Sequence, residues 1–246
     1  MSVWTNRWTC PGYVFCPRKP KPFGNEYHNI CCGESGIKFA LEMVEGKDRP
    51  KELSNDPKNQ RTIELLKRLC KNLYGTGSVV ILDSGFCALQ GLVELRKKGV
   101  FAAALIKKRR FWPKYVPGDE IDNHFKGKEV GATDSLKGVL DNVPYDIFCM
   151  KEPDYVMKIM STYGGLIEKE GQKRSFRTFI GENGVEEKVE FKYKVPFSNH
   201  FDFRHMVDEH NKLQHKISSL EETWITYRWP VRVFQYLLAC TEVNIF

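Results

Sequence analysis

The N-terminal part of the chain alternates short apolar runs with turn signals. "YVFC" (13–16), "YHNICC" (27–32) and "KFALEMV" (38–44) predict strands, separated by the Pro- and Gly-rich "PRKPKPFGN" and "GESG". After a polar loop, "RTIELLKRLCKNLYG" sets Ile63, Leu65, Leu66, Leu69 and Leu73 at helical spacing and stops at Gly75. "SVVILD" runs Val79 to Leu82 without alternation, the pattern of a strand covered on both faces. "CALQGLVELRKKG" predicts a helix closing at Gly99, and "FAAALI" (101–106) a further buried strand. The order β-β-β-α-β-α-β suits a mixed sheet flanked by helices.

The pattern then weakens. From Phe111 to about Lys194 it is polar and broken by Pro and Gly, and the region at about 111–195 reads as an insertion projecting from the sheet. Inside it, "FRTFIGENGVEEKVEFKYKV" predicts a hairpin turning at Asn183-Gly184. Periodicity returns in "FDFRHMVDEHNKLQHKISSL" (201–220), read as one helix, and in a terminal helix entered through Trp229 and Pro230. The aromatic-rich opening and a closing helical pattern with no stop signal lead to the expectation of one domain, 1–246, truncated at both ends.

Composition narrows the function classes. A hydrophobic content of 41% over 246 residues supplies the core of one large domain. A formal charge of +7 favours a polyanionic partner. No secretory signal precedes Trp4 and no apolar run approaches the ~20 residues of a membrane span, so no membrane partner is expected. The eight cysteines form no C-x-x-C, and several sit in apolar runs. They read as reduced core thiols of an intracellular protein rather than disulfides or a zinc site.

Two acids are the candidates for chemistry. Asp83 ends a buried strand and is followed by small residues. Functional groups gather at the carboxyl ends of strands in open α/β sheets, yet an Asp there can equally cap the turn that follows. Asp208 would share one helical face with Asn211, Lys212 and His215, which fits either a site or a solvated face. "KKRR" (Lys107, Lys108, Arg109, Arg110) runs into Phe111 and Trp112. Such a run can bind DNA, direct nuclear import or form a solvated loop. Arg7, Arg18, Lys19 and Lys21 form a second basic patch. His200, His205, His210 and His215 recur every five residues, which spreads them around a helix and argues against a ligand set. "GTG" (75–77) lacks the Lys of a phosphate loop and reads as a turn, and Trp229 and Arg232 read as packing at the entry to the last helix.

A resemblance joins these pieces. "PRKPKPFGNEYH", "EGKDRP", "GTGSVVILDSGFC", "ALIKKRRFWPK", "KEPDYVMKIMSTYG", "NHFDFRHMVDEHNK" and "YRWPVRVFQYLLACTEVN" follow one another in an order that resembles the transposase-derived domain of piggyBac-type elements. The resemblance implies an RNase H-like mixed sheet flanked by helices. It implies a carboxylate set holding two Mg²⁺ (or Mn²⁺) ions that cut and join DNA, because hard cations take carboxylate oxygens and two ions can serve both the attacking and the leaving oxygen. Asp83 matches the family's second acid and Asp208 the third. Asn211 stands where a further acid is common, a neutral oxygen ligand at best. The strand carrying the first acid would precede the segment at which this sequence starts. The implied function is that of a truncated, catalytically impaired piggyBac-type domain with weak Mg²⁺ binding. Weak or vestigial DNA contact, through Lys107, Lys108, Arg109 and Arg110, and a nuclear location go with it, and a homodimer is compatible. The alternatives are an active transposase or nuclease domain with a mis-assigned start, and a co-opted DNA- or protein-binding scaffold.

Overall fold

The computed structural model describes residues 10, 12–17, 22–44, 60–107, 116–168, 170–171, 174–181, 183–215, 220–224 and 226–245. The chain divides into two compact units, Asp56–Arg204 and the pair of segments Met1–Asn55 and His205–Phe246.

The N-terminal segment forms two antiparallel hairpins. Strand β1 (Tyr13–Phe15) pairs with β2 (Phe23–Asn25), and β3 (Tyr27–Cys31) with β4 (Lys38–Met43), with a register shift between Ile30 and Cys31. Strand β2 falls where the sequence pattern predicted only a turn. Cross-strand aromatics account for it: the Phe23 ring lies 4.7 Å from Phe15 and 6.0 Å from Tyr13.

The unit Asp56–Arg204 is built on one sheet. Helix α1 (Gln60–Leu69), β5 (Val79–Leu82), helix α2 (Leu89–Lys97) and β6 (Phe101–Leu105) follow the predicted order. Then come helix α3 (Gly118–His124), β7 (Thr133–Leu140), β8 (Val143–Lys151) and β9 (Val156–Ser161). The five strands lie in the order β5-β6-β9-β8-β7, with β5 and β6 parallel and every other neighbour antiparallel. Much of the expected projecting insertion is therefore part of the main sheet. The sequence hid these strands because β9 is buried along its whole length, so it shows no alternation, and Lys158 interrupts its apolar run. Asp122 of α3 compensates that charge, 2.5 Å from the Lys158 ammonium.

Both faces of the sheet are covered. Leu92 and Leu95 of α2 are buried, with α2 against β6 and β8 on one face, and α1, with Leu66 and Leu69 buried, packs against α2. On the other, Ala103, Phe148, Met150, Met157 and Ile159 pack with Tyr193 and Phe197, the latter on helix α4 (Val195–Phe203). The predicted hairpin is present as β10 (Ser175–Ile180) and β11 (Glu186–Phe191), with Gly184 at φ +71° in its turn.

The remaining helices, α5 (Met206–Gln214), α6 (Leu220–Thr223) and α7 (Trp229–Ile245), belong to the other unit. The single helix expected over 201–220 is thus two, α4 and α5. The break falls at Arg204, the last residue of one unit, where the Arg204 guanidinium stands 5.0 Å over the Phe201 ring. Residues 216–219 lie outside the described residues.

Candidate functional site

Asp83 follows β5 directly. The register Leu82↔Ala104 sets it level with Leu105, at the carboxyl end of the parallel pair. Its backbone is extended (φ −65°, ψ 158°) and its Oδ1 accepts the Ser84 N–H at 2.6 Å, capping the short 3₁₀ turn Ser84–Phe86. The carboxylate is exposed and makes no other side-chain hydrogen bond among the described residues. The capping reading is thus observed, and it leaves the second oxygen open to solvent.

Asp208 stands in the first turn of α5, exposed, where a negative charge suits the helix N-terminus. Lys212 and His215 are exposed with it, and Lys212 pairs with Glu209 at 2.6 Å. Asn211 turns inward instead. Its Oδ1 accepts from the Lys38 ammonium at 3.2 Å. Lys38 is only 6% exposed, and its Nζ also reaches Gln214 Oε1 (3.4 Å) and Cys240 Sγ (3.8 Å) and lies 5.5 Å from the centre of the Tyr236 ring. The start of β4 is tied down as well: Asn244 of α7 accepts from the Lys38 N–H at 2.9 Å and donates to the Lys38 carbonyl at 2.8 Å. Burial here pushes the neighbouring Cys31 thiol up to about 11. The predicted polar face of α5 therefore splits, with Asp208 outside and Asn211 committed to a buried cation.

Of the basic run, Lys107 is exposed just past β6, while Lys108, Arg109 and Arg110 lie outside the described residues, as do Arg7, Arg18, Lys19 and Lys21. Arg232 is buried and donates to Gln235 Oε1 and the Trp224 carbonyl, in line with a packing role. All eight cysteines are free thiols. His200 and His210 are buried on separate helices, and no described His joins a ligand set.

The fit to a divalent metal can be judged from the donors. Among the described residues no group of three or more His, Cys, Asp or Glu side chains is placed to hold a metal ion. Asn211, the neutral candidate, already has an ammonium on its oxygen. Among the described residues, this donor set does not make up a two-ion centre. The sequence reading missed Lys38 and Lys158. Their signal was a lone cation inside an apolar strand pattern, "IKFALEM" and "YVMKIMS".

An α/β unit with an acid at the carboxyl end of a parallel strand is common to many proteins, and similarity to known proteins narrows it. A family model described as Transposase IS4 matches residues 2–246, and the chain belongs to this family in its piggyBac-type form. A cryo-EM structure of the piggyBac transposase synaptic complex with hairpin DNA matches with a TM-score of 0.68 at 15% identity. The match covers 96% of this chain and 42% of that one, and shows the RNase H-like fold. No curated protein matches the chain.

Proposed function

We propose that this chain is a DNA-engaging domain of the piggyBac transposase type in which metal-dependent cleavage and strand transfer are impaired. DNA engagement is supported by the family match, the +7 charge and the exposed Lys107 at the carboxyl end of the sheet. The solved piggyBac relative is a complex with DNA. Asp83 and Asp208 are the acids retained from the family's set, and Lys107, Lys108, Arg109 and Arg110 the phosphate contacts. A nuclear location belongs to the same reading. The observation that carries the impairment is the Lys38–Asn211 contact, in which an ammonium already occupies the oxygen of the neutral candidate ligand. In the family, divalent ions supply the activation of the nucleophile.

Two measurements test the reading. Fluorescence anisotropy on labelled duplex should show weak binding that falls steeply with salt. Supercoiled plasmid incubated with Mg²⁺ or Mn²⁺ should stay intact. Absence of any salt-dependent binding would remove DNA engagement. Metal-dependent nicking that disappears in Asp83→Asn would overturn the impairment.

A further inference from the structure

A cleft of about 930 Å³ opens in the Asp56–Arg204 unit. It lies beside the end of β6 at Leu105–Lys107, against the β8–β9 turn at Lys151–Val156 and the end of α4. The sheet register sets this rim at the same end as Asp83. Its size is that of a small-molecule site and far too small for a duplex.

The lining is specific in chemistry. Lys158 is held inside by Asp122 and counts as a neutral pair. Lys107 and Lys151 line the cleft with no side-chain partner among the described residues. Tyr155, on the turn between the strands, lines the cleft and is 59% exposed. Phe201 adds a second ring, with the Arg204 guanidinium stacked over it. Asp154 is exposed and also without a side-chain partner among the described residues. A bare anion would suit the lysines but not that carboxylate. A nucleotide suits all of them: its phosphate meets the ammonium groups, its flat base meets a ring or guanidinium plane, and its N–H groups meet a carboxylate.

We propose that this cleft takes a single unstacked nucleotide of a DNA strand, with its phosphate toward Lys107 and Lys151 and its base on Tyr155. The inference rests on the DNA-engaging reading above and adds the form of DNA that is bound. It makes the chain a reader of unpaired DNA at the end of the sheet where Asp83 stands.

The test compares three labelled DNAs in anisotropy titrations with the full 246-residue chain. One is a blunt duplex, one the same duplex with a single-stranded extension, and one that extension made abasic. The extension should bind about tenfold tighter than the blunt duplex, in line with stacking of one base. The gain should vanish with the abasic strand and with Tyr155→Ala, and return with Tyr155→Phe. Because Tyr155 is exposed, the Tyr155→Ala melting temperature should match that of the parent, which separates a loss of stacking from a loss of folding. Equal affinity for all three DNAs, with duplex binding intact, overturns the cleft assignment alone. No binding to any of them overturns the DNA-engaging reading and this inference together. A fourth probe carries the same extension in RNA, and tighter binding to it than to the DNA extension overturns the assignment to DNA.

Discussion

At the scale of single residues, the buried cations decide most. Among the described residues, amide oxygens, a thiol and a tyrosine ring receive the Lys38 ammonium, and no carboxylate does. Replacing Lys38 with Met keeps the stem and removes the donor on the Asn211 oxygen. Lys38→Met should lower stability by about 1–3 kcal/mol, read as a shift in urea midpoint. His210 is the second test. Its Nδ1 faces the Gly36 carbonyl at 3.1 Å, and burial, with the Lys38 charge, holds its pKa below the ordinary 6.5. A depressed pKa in the folded state means the neutral ring is favoured. Stability is then complete above the unfolded value and declines as pH falls below it toward the folded value. The urea midpoint should drop between about pH 7.5 and about pH 5.5, and the drop should be smaller in His210→Gln.

At the scale of elements, two ties hold the Asp56–Arg204 unit in shape. Arg177 of β10 clasps Glu152 with both ends of its fork, Nε to Oε2 at 2.6 Å and Nη2 to Oε1 at 3.0 Å, and Glu152 is only 3% exposed. The rings of Phe191, Tyr193 and Phe201 stand about the same guanidinium at 6.0, 5.4 and 5.6 Å. This joins the β10–β11 hairpin to the sheet. Arg177→Ala leaves Glu152 buried without its partner and should cost about 3 kcal/mol, with Glu152→Gln in the same chain restoring part of the loss. The turns before β5 and β6 form the other tie. Gly75 and Gly77 donate to the carbonyls of Lys98 and Gly99, and Gly99 has φ +74° with a Cβ position only 3.0 Å from the Gly75 Cα. Gly99→Ala meets both the left-handed penalty of about 1–2 kcal/mol and a backbone neighbour that cannot yield. A fall in melting temperature beyond that of Gly127→Ala, a positive-φ glycine in open space, checks that the close approach matters. The sequence pattern reads "GTG" as a turn into the strand, and it is one; that Gly99 packs against it is information from across the two strands.

At the scale of the whole molecule, charge is the property that reaches furthest. Formal charge is +7, and the basic run Lys107 to Arg110 follows the carboxyl end of β6. If DNA affinity comes from released counterions, replacing Lys107, Lys108, Arg109 and Arg110 with Ala should flatten the dependence of log affinity on log salt by about one unit for each phosphate that is no longer neutralised. An unchanged slope would assign the run to solvent or to an import signal. No described helix is long and apolar enough to cross a membrane.

What the sequence by itself determined was local. The period of apolar positions marked α1, β5, α2, β6 and α7, the Asn183-Gly184 pair marked the β10–β11 turn, and a strand ending in Asp before Ser-Gly offered the cap that Asp83 forms as one of two readings. These depend on neighbours within a few residues, so the pattern carries them. Only the tertiary structure decided partners. Strand β9 returns to β6 across more than fifty residues, pairing Leu105 with Ile159, and so turns an expected projection into sheet. Lys38 meets Asn211 over a separation of 173 residues. A hydrophobic pattern states that a position is buried but not against what, and an Asn on a polar helical face reads the same whether water, a metal or an ammonium waits opposite. Asn211 shows the difference: its type and face were legible, and the cation on its oxygen came from the folding of β4 against α5 and α7.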